Sequence, residues 1–188
     1  MARLPARNVG RFGRAGDPLN LLFLGSEPSL RAALEAGGWT LLPRTLAGSV
    51  LGGLGQLARG RSLTLFPPMN TYRLLGRPQD QNWVRVTRPL IQRHHFRLWS
   101  LPFSDPEGRP AWCGSANYDK AARLHDFSHV PDPDIDAERD FIAGSLDGAE
   151  TVESVSRDAR ADPAREGVND KGYPFFSDGR VLVVRLRL

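Results

Sequence analysis

From Tyr72 onward, apolar and polar residues alternate at every second position, in Asn82 to Thr87, Gln92 to Leu101 and Pro110 to Tyr118. That period belongs to half-buried strands and not to helices, and Ser104-Asp105-Pro106-Glu107-Gly108 supplies turn residues between the last two runs. A β-hairpin is predicted there, with an antiparallel sheet around it. Alternation also separates the adjacent histidines. His94 shares a face with Phe96 and Leu98, whereas His95 shares one with Arg93, Arg97 and Trp99. His94 is therefore expected to be a hydrogen-bonded core residue and His95 the functional candidate. An Arg-His-Arg face repels itself unless carboxylates pack above it.

The remaining patterns are shorter. Leu19 to Leu24 is an apolar run of strand length ended by Gly25-Ser26, and Glu27 to Gly37 carries Leu30, Ala33 and Leu34 at helical spacing behind a Ser26 cap and Pro28. A second helix is predicted over Arg44 to Arg59, weakened by four glycines at about 1 kcal/mol each. A third opens in the acidic segment, with Asp132 as cap, Pro133 in the first turn, and Ile135, Ile142 and Leu146 as its apolar stripe. Thr151 to Arg157 reads as a strand, and a last hairpin turns at Ser177-Asp178-Gly179 into Arg180 to Leu188. The fold expected is α+β: a single domain, a mixed and mostly antiparallel sheet with two or three helices packed on it. Its organisation is read as a flexible basic arm over 1–16, a globular body over 17–157, a mobile polar loop over 158–171 and a C-terminal hairpin over 172–188.

The chain's 188 residues bound one core, and the lone Cys113 excludes an internal disulfide or a multi-cysteine zinc site. Leu46 to Ala58, the longest low-polarity stretch, is about half of what a bilayer requires, so no transmembrane segment is expected. A net charge of +4 invites a nucleic-acid reading. Yet Arg3, Arg7, Arg11 and Arg14 supply all of it, and the other 21 basic residues balance 21 acids. Phosphate-backbone binding needs a basic patch, so no nucleic acid is expected.

The densest chemistry lies between His129 and Asp140, where five carboxylates, one imidazole and one guanidinium crowd a helix start. The helix dipole offsets only part of their repulsion. Asp132, Asp136, Arg139 and Asp140 fall on one face, with Glu138 pointing elsewhere, and this acidic start is the expected cover for the Arg93-His95-Arg97 strand. His95, His129, Asp132 and Asp136 together would suit a divalent metal such as zinc or manganese. His95, Asp136 and Arg139 are then candidate catalytic groups. Arg77, Arg93, Arg97 and Arg139 are candidate ligand-binding arginines, because their planar forks suit phosphate and carboxylate. Asp119, at the end of the hairpin, is expected to cap a turn.

Asp17-Pro18-Leu19-Asn20 with Gly25-Ser26, Gly38-Trp39, Leu75-Gly76-Arg77-Pro78-Gln79-Asp80, Arg93-His94-His95 with Arg97-Leu98-Trp99, and His129 through Asp140 together resemble the LssY C-terminal domain family. The resemblance covers most of residues 17–147. It implies a bacterial stand-alone relative of domains that elsewhere form the soluble tails of membrane proteins with DedA-like or type-2 phosphatidic acid phosphatase modules. A membrane protein of that kind is thus the implied partner, and the implied location is cytoplasmic or peripheral to the membrane. The family usually has two adjacent histidines before its Asp-Pro, where this chain has His129 followed by Val130-Pro131. The segment between Asp119 and His129 is also shorter. The resemblance implies no mechanism. The residues favour a binding or regulatory module for an anionic ligand, phosphate or headgroup-like, or for a partner protein. The alternatives are a metal-dependent phosphoester hydrolase using the His/Asp cluster and a purely structural ion network.

Overall fold

The computed structural model describes residues 4–43, 69–88, 92–123, 128–159 and 164–188. In chain order its elements are β1 (Arg7–Val9), a 3-10 turn (Arg11–Gly13), β2 (Ala15–Pro18), β3 (Leu21–Leu24), α1 (Glu27–Ala36), β4 (Thr40–Leu41), β5 (Arg73–Leu74), β6 (Arg77–Pro78), β7 (Gln81–Arg88), β8 (Gln92–Ser104), β9 (Pro110–Arg123), β10 (Ser128–Pro131), α2 (Ile135–Ser145), β11 (Val152–Ala159), β12 (Glu166–Val168), β13 (Pro174–Phe176) and β14 (Arg180–Leu186).

The main sheet runs β11-β14-β3-β9-β8-β7-β4, with β10 paired to β9; β1, β2, β5 and β6 form a small second sheet and β12–β13 a third. The β14–β3 pair is parallel. β3 is flanked on both edges and covered on both faces, which explains its unbroken apolar run.

Alternation divides β8 and β9 into two faces. On one, Phe96, Leu98 and Ala116 join Leu30, Ala33 and Leu34 of α1 and Ile142, Ala143 and Leu146 of α2 in one core. On the other, Trp99, Leu101, Ala111 and Cys113 pack with Leu19, Tyr72 and Leu74. Helices cover the first face and the small sheet covers the second.

Both helix starts follow from local chemistry. Ser26 Oγ accepts from the backbone N–H of Ser29 at 3.2 Å to open α1. For α2 the cap is Asp134, which accepts from the N–H groups of Asp136 and Ala137 at 3.1 and 3.0 Å. The sequence expectation of Asp132 is corrected by two residues. The Asp132 N–H bonds the Tyr118 carbonyl at 2.7 Å, which keeps that residue beside the sheet, and its carboxylate accepts from Asp134 N–H one turn before the helix.

The α+β expectation with two or three packed helices is overturned. Of the described residues 51% lie in strands and 16% in helices, with two α-helices among them, so the fold is mostly β. The excess comes from segments whose strands are too short to carry a period. Residues 7–16, read from sequence as part of a loose arm, supply β1 and the first half of β2, and residues 166–168 and 174–176 supply the third sheet. β13 pairs with β12 while β14 lies between β11 and β3, so the turn at 177–179 connects two sheets. The helix expected over Arg44 to Arg59 lies outside the described residues.

Candidate functional site

Cross-strand register builds the floor of a cleft on the face away from the helices. Arg93 lies opposite Asp119, His95 opposite Asn117 and Arg97 opposite Ser115. Asp17 from the end of β2, Tyr72 ahead of β5, His129 and Pro131 of β10, and Asn169, Lys171 and Tyr173 between β12 and β13 complete the walls. They line a cleft half open to solvent, with about 30 Å³ of free space at its floor, room for a water or two.

Two ion pairs organise it. Arg93 Nε donates to Asp119 Oδ2 at 3.1 Å, with both side chains nearly buried. The same oxygen lies 3.9 Å from His95 Nε2 and 4.0 Å from His129 Nδ1. Burial opposes the charge on Asp119, but its cationic surroundings, with Arg93 donating to it directly, outweigh burial and hold the carboxyl below its usual range. His95 Nδ1 sits 2.7 Å from the Asn117 carbonyl oxygen. Burial foremost, with Arg93 and Arg97 adding repulsion, drops this imidazole to about 3, so it is neutral near pH 7.

The second pair is Arg97 Nη1 with Asp17 Oδ2 at 3.5 Å. Burial pushes the Asp17 carboxyl up, against Arg97 and the Asn169 amide, which donates to its Oδ1 at 3.1 Å. The Arg97 guanidinium stacks over Tyr72 with its carbon 4.2 Å from the ring centroid. Tyr72 OH in turn donates to Asp170 at 2.6 Å. Arg97 is 4% exposed, and its Nη1 is buried without a hydrogen-bond acceptor. Lys171 also lines the cleft, its ammonium pKa lowered by burial first and by Arg97 next.

In comparison with known protein families, the model of the LssY C-terminus family matches residues 1–181. The chain belongs to the LssY C-terminus family. No curated protein and no solved structure matches it. In this LssY C-terminus domain no helix among the described residues is long and apolar enough to cross a membrane.

The expected site residues divide into three places. His95, Arg93, Arg97 and His129 meet at the cleft around Asp119 and Asp17. Asp136 and Arg139 lie instead in a network on α2. Arg139, 2% exposed, donates to Asp136, Asp140 and Asp178 and to the Arg180 carbonyl, while Asp136 also accepts from Ser177 Oγ at 2.8 Å. That network ties α2 to the turn before β14. Asp132 pairs with Lys120 at 3.7 Å. Arg77 sits exposed on β6, 3.4 Å from Asp80. Among the described residues no group of three or more His, Cys, Asp or Glu is placed to hold a metal ion, so His95, His129, Asp132 and Asp136 do not assemble as one ligand set.

The acidic helix start does not cover the Arg93-His95-Arg97 face, because the apolar stripe of α2 packs on the opposite one. There Glu138 meets His94. His94 Nδ1 and Glu138 Oε2 share a hydrogen bond of 2.6 Å, and the imidazole stacks between Phe141 and Tyr118. Glu138 is thus the helix acid that reaches the sheet. Burial pushes it up to about 7, against the pull of His94. A carboxyl raised in the fold above its 4.5 reference stabilises the protein at low pH, and this contribution is lost as pH rises through about 7. Glu138→Gln mimics the protonated form. Its melting temperature relative to the native protein is expected to climb between about pH 5 and pH 8, and a flat difference across that range would refute the assignment.

Asp17, Tyr72, Asn117, Asn169, Lys171 and Tyr173 escaped the sequence reading as site residues. Asn117 and Asp119 had a usable signal, since they alternate in phase on the strand that pairs with Arg93 and His95. The others carry none, because only the folded loops bring them to the cleft.

Proposed function

We propose that this LssY C-terminus domain is a binding module for a ligand with a phosphate-like anionic group, held in the cleft by Arg97 and Lys171. The observation that carries the reading is Arg97 Nη1, a charged donor buried at the cavity with no hydrogen-bond acceptor. An unsatisfied buried donor of this kind costs on the order of 1–3 kcal/mol, and more when charged. An oxyanion entering the cleft recovers that cost and offsets the desolvation of Lys171. The fork of Arg97, held flat by Tyr72, suits bidentate contact. A cytoplasmic location beside a DedA-like or phosphatidic acid phosphatase-like membrane protein is consistent with such a ligand, since headgroup phosphates occur there.

Inorganic phosphate is expected to raise the melting temperature progressively, reaching the equivalent of about 2.7 kcal/mol at one hundred times the dissociation constant. Lys171→Gln, in a loop outside the main sheet, should fold normally and lose most of the shift. No shift with phosphate, sulfate or a phosphonate would remove the reading.

A further inference from the structure

The cleft has a second pole that an anion alone leaves unmatched. The Asn117 carbonyl only accepts, so the 2.7 Å contact places the ring proton of His95 on Nδ1 and leaves Nε2 with a lone pair. That lone pair lies 3.9 Å from Asp119 Oδ2. Two acceptors therefore flank one gap, too far apart to bond each other and with no proton between them. A donor about 2.8 Å from each fits the gap. Arg93 already donates to Oδ2, but a carboxylate oxygen accepts more than one donor. The opposite pole carries the cationic donors Arg97 and Lys171, with the Asp17 carboxyl, pushed towards its protonated form by burial, 3.5 Å from Arg97; Lys171 also feels the charge of Asp119.

We propose that the ligand is dipolar, pairing its anionic group at Arg97 and Lys171 with a primary ammonium at Asp119 and His95. This rests on the anion-binding reading above. An ammonium fits better than a hydroxyl for two reasons. It brings several N–H donors to two acceptors, and its charge opposes a carboxylate that stays ionised. A neutral His95 accepts from it without repelling it.

Calorimetric titration of the native protein with O-phosphoethanolamine, inorganic phosphate and O-phosphocholine tests this. Phosphocholine keeps the positive charge and lacks N–H donors. Phosphoethanolamine is expected to bind about tenfold more tightly than either of the others, and Asp119→Asn to abolish the preference. If that variant does not fold, the ranking on the native protein decides. Equal binding of all three overturns the dipolar ligand and leaves the anion reading intact, whereas binding of none overturns both. Sedimentation with phosphatidylethanolamine vesicles but not phosphatidylglycerol vesicles would assign the group to a membrane surface. Binding of the soluble ester without sedimentation would assign it to a free metabolite.

Discussion

Replacing Asp119 with alanine is expected to destabilise the protein by about 3–5 kcal/mol, the usual cost of deleting one partner of a buried ion pair. Asp119 is 5% exposed. Its loss strips Arg93 of a 3.1 Å acceptor and leaves a largely buried guanidinium without that compensation. Exposed pairs behave differently. Arg77 with Asp80, with Arg77 more than half exposed, should cost less than about 1 kcal/mol when broken. The Asp119 effect also has a pH signature. Its folded pKa is held below the 3.8 reference, so its contribution is fully present above that value and is lost as pH falls through the depressed one. Urea denaturation of the native and alanine proteins should show a wide gap at neutral pH that narrows below about pH 4. A gap under about 1 kcal/mol at neutral pH would mean that water already solvates the pair.

Phe96→Ala should cost a similar 3–5 kcal/mol, by a different mechanism: lost burial plus a cavity. Phe96 is fully buried, with its ring 4.7 Å from Trp39 edge-on and stacked at 6.5 and 6.3 Å on Trp83 and Phe23. These three neighbours belong to two other strands, β3 and β7, and the segment after α1, so the hole cannot close without moving all of them. The substitution also reaches the cleft, because Phe96 lies between His95 and Arg97 on β8. Repacking on the helix face shifts both neighbours on the other. The phosphate-induced rise in melting temperature is therefore expected to shrink in Phe96→Ala, although the residue touches no ligand. An undiminished rise would show that the strand holds its site side independently of the core beneath it.

Much of the central hairpin was legible because alternation is local. Every second side chain of Gln92 to Leu101 faces the same way whatever the strand pairs with. The separation of His94 from His95 followed from that alone. Register was not legible. Between the pairs Ser100–Trp112 and Ser104–Pro110, β8 uses two more residues than β9. Counting back from the turn would misplace Asp119 by two positions along β8. Because the shift is even, the faces survive it, and Arg93, His95 and Asp119 still lie on one side.

The acidic segment misled for the converse reason. Its charge density was visible, but its destination depended on which face of the sheet the stripe Ile142, Ala143 and Leu146 would cover. Once α2 packed over Phe96 and Leu98, its acids were committed to that side. Glu138 was buried against His94, Asp136 and Asp140 gathered on Arg139, Asp134 capped the helix and Asp132 paired with Lys120. The carboxylates for the arginine face came from Asp119 across the hairpin and from Asp17, about eighty residues upstream of Arg97.

By itself the sequence determined the antiparallel hairpin, the two faces of β8, the strand-to-helix start at Ser26 and the family. These rest on side-chain period, turn chemistry and the order of short motifs, all of which are properties of neighbouring residues. Tertiary structure alone decided that the fold is mostly β, that residues 7–18 form strands, and that Asp17, Tyr72, Asn169 and Lys171 meet His95 and Arg97. Those outcomes depend on pairing between distant segments of two to four residues, and strands that short carry no pattern of their own until a neighbour supplies their hydrogen bonds.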